Sequence, residues 1–142
     1  MRHGSWVPQA LARVLRPRGV LVAWGYQDML MPGDVAEAAR PLLEAIRGDW
    51  PAGRALVDAG YAGFDWPFEA LAAPVFELAA EWPLARLLAY LGTFSAVQRH
   101  RARTGADPVA AHAPAIAAAW GDAATRPVRW PLFVHARRRR PE

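Results

Sequence analysis

A chain of 142 residues that is 54% apolar and has no cysteine is long enough for one packed domain. That composition excludes a disordered polypeptide, a disulfide scaffold, a thiolate metal site and a cysteine nucleophile. The net charge of +4 rests on arginine alone: all 17 basic residues are Arg, four of them in the block Arg137–Arg140, and residues 137–142 read as a solvated basic tail.

No run approaches the ~18 apolar residues of a membrane span. The N-terminus also lacks the apolar segment of a signal peptide, so a cytoplasmic location without a membrane partner is expected. Residues 9–16 place Leu11, Val14 and Leu15 on one helical face; Pro17 stops that helix and Gly19 permits a turn. Val20–Trp24 is an uninterrupted apolar run, the pattern of a parallel-sheet strand covered on both faces. Asp34 can cap a helix carrying Val35, Ala38, Ala39, Leu42, Leu43 and Ile46, kinked or restarted at Pro41 and closed at Gly48. Residues 49–73, with Trp50-Pro51, Gly60-Tyr61 and Trp66-Pro67-Phe68, read as irregular with short helical pieces.

Residues 75–82 alternate as a strand, and Pro83 opens a helix over 84–103 with Leu84, Leu87, Leu88, Leu91 and Phe94 in one stripe. Asp107-Pro108 is an N-cap followed by an N1 proline, leading a helix that Pro114 breaks and that ends at Trp120-Gly121. Val128–Ala136 reads as a final strand, held to an edge or a bulge by Pro131. The chain is therefore α/β with three strands, treated as one unit over 1–142.

Catalytic signatures are missing. His3, His100, His112 and His135 lack ligand spacing, so no metal is expected. Ser5 and Ser95 are the only serines and neither lies in a nucleophile elbow. Neither glycine-rich phosphate loop occurs. Two clusters remain. Trp24, Tyr26 and Gln27 end the first strand, where open α/β sheets bind ligands; Trp24 reads equally well as core. Tyr90, Thr93, Ser95, Gln98 and Arg99 lie on the polar side of the helix over 84–103, where Arg99 can clamp a carboxylate.

The motif RVLRPRGVLVAW at 13–24 resembles the segment before the fifth strand of class I S-adenosylmethionine-dependent methyltransferases. YLGTFSAVQRHRARTGADPV and AWGDAATRPVRWPLFVHARR resemble later segments of its trans-aconitate-type, methyltransferase type 11-like small-molecule subgroup. The likeness runs from about residue 9 to 137; Arg18 replaces a usual glycine and Phe94 a usual tryptophan. The resemblance implies a partial Rossmann-like methyltransferase sheet, strands five to seven only, with a helical substrate cap over 34–48 and 84–121. The last two strands would form an antiparallel, hairpin-like edge.

It further implies methyl transfer from S-adenosylmethionine to a small-molecule acceptor such as a carboxylic acid. Tyr26, Tyr90, Ser95 and Arg99 would face that acceptor. No residue answers to the family's acidic-x-Gly-x-Gly cofactor loop, so this chain would be the C-terminal, substrate-side half and inactive alone. The outer edge of residues 20–24 would then need a partner: the N-terminal half or another copy. A basic module binding nucleic acid or an acidic partner through Arg99–Arg103 and Arg137–Arg140, and a folded remnant without activity, are the alternatives ranked below this one.

Overall fold

The computed structural model describes residues 6–66 and 68–141; His3, Ser5 and Pro67 lie outside them. The elements are α1 (Trp6–Val14), β1 (Val20–Tyr26), α2 (Gly33–Ala45), a 3-10 turn (Arg47–Asp49), α3 (Arg54–Asp58), β2 (Glu69–Leu71), β3 (Glu77–Trp82), α4 (Leu84–Gly92), α5 (Ser95–Thr104), α6 (Pro108–Trp120) and β4 (Arg126–Arg138). The chain divides into two compact units, one of Met1–Asp28, Ala55–Glu77 and Pro131–Glu142, the other of Met29–Arg54 and Leu78–Trp130. β4 runs from the second into the first.

The first unit is a small sheet in the order β1-β4-β2. β1 pairs antiparallel with β4 from Val20↔Arg138 to Tyr26↔Leu132, and β2 pairs antiparallel on the other side from Glu69↔Arg138 to Leu71↔Ala136. This corrects two expectations. β1 does not lie in a parallel sheet among the described residues, and it is not covered on both faces. Its exposure alternates, with Val20, Val22, Trp24 and Tyr26 on the open face. β4 is central, so Pro131 is not confined to an edge. Pro131 sits opposite Gln27, just past the end of β1, where its carbonyl accepts the Gln27 N–H at 3.0 Å.

Arg18 takes the left-handed turn before β1, at φ 62°. Gly19 contributes closeness instead, since a Cβ there would lie 2.8 Å from the Arg16 carbonyl oxygen. The arginine block is also part of the fold: Arg137 and Arg138 are in β4. The Arg139 guanidinium donates to the carbonyls of Ala12 and Leu15 at 2.5 and 2.6 Å, closing the end of α1 as a cation should.

The second unit holds the main core. Val35, Ala39, Leu42 and Ile46 repeat at helical spacing on α2 and pack with Leu87 and Leu91 of α4, Ala96 and Val97 of α5, and Val109, Ile116 and Trp120 of α6. Each fully buried aliphatic side chain contributes about 1.5–3 kcal/mol. Pro41 and Pro114 lie inside α2 and α6 without breaking them. Both are exposed, as are Glu37 and Ala110 one turn before, so the carbonyls they leave unbonded can meet water. Asp107 caps α6 as expected, its Oδ1 accepting from the N–H of Val109 and Ala110. Asp34 is not a cap; Pro32 holds that position and Asp34 lies in the first turn. β3 pairs with β4, and the expected strand over 75–82 begins at Glu77, leaving Val75 and Phe76 exposed.

Candidate functional site

The expected helix over 84–103 is two helices, separated at Thr93 and Phe94. The Thr93 hydroxyl donates to the Tyr90 carbonyl at 2.6 Å, competing with helix continuation, and Phe94 is extended at φ −58°, ψ 131°. Gln98 ties the two together by donating to the Gly92 carbonyl at 2.7 Å. Tyr90 therefore stands on α4, and Ser95 and Arg99 on α5.

Around Tyr90 the second unit assembles an aromatic seam. Its ring meets Trp82, Trp130 and Phe94 edge-on at centroid distances of 5.1, 5.6 and 5.3 Å. Its hydroxyl oxygen accepts the Trp130 indole N–H at 3.0 Å. Phe94 continues the seam to Trp50 at 5.4 Å, and the Arg54 and Arg86 guanidinium groups lie over the Trp50 and Trp82 rings. Rings in edge contact fill one another's space, so the seam is a rigid apolar wall with a polar tip at Tyr90.

Ser95 and Arg99 are four residues apart on α5, hence on one face, and both are exposed. Among the described residues Arg99 has no ion-pair partner, while its neighbours are engaged. Arg101 binds Asp107 at 2.7 Å. Arg103 binds Asp49 through two parallel bonds, Nε to Oδ1 at 2.9 Å and Nη2 to Oδ2 at 2.8 Å. His100 Nδ1 reaches the same Oδ2 at 3.0 Å. The Arg103 hydrogen bonds, aided by His100 and resisted by desolvation, hold the Asp49 carboxyl down to about 2. Nothing in the sequence links Asp49 to residues 51 and 54 positions later, so this knot is invisible there.

Tyr26 belongs to the first unit, at the end of β1, half-exposed. Gln27 spends its side chain on the Asp58 carbonyl at 2.9 Å. Trp24 is not core in this chain: it is largely exposed.

The glycines near this strand end do not fit a cradle for S-adenosylmethionine. A Cβ on Gly25 would lie 2.5 Å from Phe133 Cζ, and one on Gly60 would lie 3.3 Å from Phe133 Cγ. Both positions are small to admit an aromatic ring of the sheet, and no helix N-terminus follows either of them at once. Neither of these two glycines therefore forms a cofactor loop.

No group of three or more metal-ligating side chains occurs among the described residues. The three described histidines are bonded locally, His112 to the Pro108 carbonyl, His135 to that of Gly60, and His100 to Asp49. No described helix is long and apolar enough to cross a membrane. Arg137 lies over the Trp66 ring at 5.7 Å. With Arg101, Arg103 and Arg139 engaged as above, neither basic stretch forms a continuous stripe of solvated arginines.

No family model matches the chain, and no curated protein does. A solved structure from Anaeromyxobacter dehalogenans, described as a putative type II methyltransferase, superposes with a TM-score of 0.84 and is 40% identical over 95% of this chain. The chain is related to a methyltransferase. It spans 58% of that methyltransferase's length. The mixed helix-and-strand architecture with an open antiparallel sheet is consistent with a methyltransferase-like α/β fold.

Proposed function

We propose that this chain forms the acceptor-binding, C-terminal part of an S-adenosylmethionine-dependent small-molecule methyltransferase. The carrying observation is the 40% identity across nearly the whole chain to a methyltransferase of which it spans 58%. The missing glycine-rich loop supports the same division, with the cofactor held by polypeptide outside the described residues.

The acceptor we propose is a small carboxylic acid. Arg99 is exposed on α5 without an ion-pair partner among the described residues, and a guanidinium so placed takes a carboxylate through two parallel hydrogen bonds. Ser95, one turn earlier on the same face, adds a hydroxyl. The aromatic seam around Tyr90 offers an apolar wall, so the chain's share of the chemistry is orientation and exclusion of water. None of these side chains is assigned a proton-transfer role.

The test is a two-dimensional NMR titration of the 142-residue chain with citrate and with succinate, using chloride at matched ionic strength as control. Saturable shifts centred on Ser95 and Arg99, lost in Arg99→Gln, are expected. Shifts spread evenly over all arginines, or unchanged by the substitution, would remove the acceptor assignment.

A further inference from the structure

Two side-chain nitrogens of the first unit, Trp66 Nε1 and Arg137 Nε, are shut off from solvent and have no hydrogen-bond partner. Both can only donate. Buried donors in folded proteins are almost always bonded, so this pair asks for an acceptor.

The two belong to one aromatic frame. The Arg137 guanidinium lies over the Trp66 ring at 5.7 Å. That ring stacks on His135 at 5.3 Å and meets Phe64 edge-on at 5.7 Å. Tyr61 braces the frame, stacked on Phe64 at 4.9 Å and edge-on to Phe133 at 5.1 Å. Its backbone is left-handed at φ 55°, directly after Gly60 at φ 56°. A bulky residue held in that region is strained, and such strain clusters at ligand clamps. His135 does not serve the orphan donors: its ring is stacked on Trp66, and its Nε2–H is committed to the Gly60 carbonyl at 2.6 Å.

Charge narrows the choice of acceptor. In the sheet Arg137 is registered between Leu21 on β1 and Ala70 on β2, both apolar. Glu69, the carboxylate of β2, is registered with Arg138 and so points to the opposite face. Asp65, next to Trp66 in the chain, is exposed. Among the described residues Arg137 is half-buried without an ion-pair partner. Such a cation beside an unbonded indole N–H favours an anion over water, because water accepts a proton but balances no charge.

We propose that Arg137 and Trp66 form an enclosed binding site for a small carboxylate such as acetate. One oxygen accepts the Arg137 Nε–H and the other the Trp66 Nε1–H. Neither nitrogen touches solvent, so entry requires the segment 59–66 to part from β4, and only small acids fit. The site lies in the first unit and is independent of the acceptor assignment to Arg99, which belongs to the second.

The test uses the full 142-residue chain labelled with nitrogen-15. Tryptophan Nε1–H and arginine Nε–H groups each give a proton–nitrogen NMR signal, and Trp66→Phe and Arg137→Lys identify the two. Sodium acetate is titrated against sodium chloride at matched ionic strength. Saturable shifts of both signals with acetate are expected, together with a thermal midpoint that rises with acetate concentration. Trp66→Phe keeps a ring but loses the N–H, and Arg137→Lys keeps the charge but loses the fork. Each should weaken acetate binding by about tenfold or more. Arg138→Gln removes the same charge from the opposite face and should leave binding unchanged, and citrate should move neither signal. Circular dichroism separates lost binding from lost folding; should Arg137→Lys fail to fold, Trp66→Phe decides. An equal response to chloride or citrate would place the anion on open surface and overturn the proposal. So would equal weakening by Arg138→Gln. Signals protected from hydrogen exchange yet indifferent to acetate would overturn it too, by showing that a water or another protein group already serves both donors.

Discussion

Gly25→Ala is a small change with a large geometric consequence. The added methyl would stand 2.5 Å from Phe133 Cζ and 3.0 and 3.2 Å from its Cε atoms. Phe133 is the direct cross-strand partner of Gly25, and the base of its ring is held by Gly60. Tyr61 meets the ring edge-on at 5.1 Å, so it cannot swing clear at no cost. Overpacking of this kind costs about 1–3 kcal/mol. Replacing glycine by alanine in a strand would otherwise contribute about 0.5–1 kcal/mol of stability. The net expected loss is about 1–2 kcal/mol, read as a lower urea midpoint at unchanged slope. Phe133→Ala, at a half-buried ring, should cost about 2–4 kcal/mol. In the double variant the alanine methyl enters vacated space, so the loss should fall short of additivity by about 1 kcal/mol or more. Strict additivity, or a Gly25→Ala protein more stable than the parent, would show that Gly25 is not kept small by Phe133. The reading of that strand end as packing, not a cofactor cradle, would then fail.

Three further outcomes are expected. Leu42→Ala, at a fully buried position in the α2 core, should lose about 2–5 kcal/mol in chemical denaturation, whereas Leu43→Ala next to it, on a side chain 37% exposed, should lose less. Arg18→Gly relieves a left-handed backbone at φ 62° and should raise stability by up to about 1 kcal/mol after the larger entropy of the unfolded glycine, read as a higher thermal midpoint. Because the Asp49 carboxyl is held down to about 2 from 3.8, its contribution is present above pH 3.8 and lost as pH falls through about 2. Melts of the wild type and Asp49→Asn between pH 2 and 5 should therefore converge toward the acid end, and parallel curves would deny the Arg103–His100 knot its role.

Local signals carried much of the helical unit. The spacing of Val35, Ala39, Leu42 and Ile46 locates α2, the leucine stripe locates α4, and Asp107-Pro108 marks the start of α6. Proline misleads in both directions. Pro41 and Pro114 look like breaks but face solvent, and Pro131 looks like an edge marker but falls where β1 has already ended. The break at Thr93 depends on a hydroxyl reaching a carbonyl three residues back, which periodicity cannot register. The three-residue β2 is too short for any alternating pattern. The arginine block reads as a tail because charge runs are usually solvated, whereas Arg139 answers to carbonyls more than 120 positions away. Of the acceptor-facing candidates, Ser95 and Arg99 share a face through simple helical spacing. Tyr90's bond to Trp130 and the Asp49 knot are tertiary and could not be read in advance.

Calorimetric titration of the 142-residue chain with S-adenosylmethionine probes the division of labour directly. An acceptor-side chain without a glycine-rich cofactor loop should give no saturable heat at up to millimolar ligand, while its Arg99 resonances still respond to citrate. Stoichiometric binding of S-adenosylmethionine to this chain alone would contradict it.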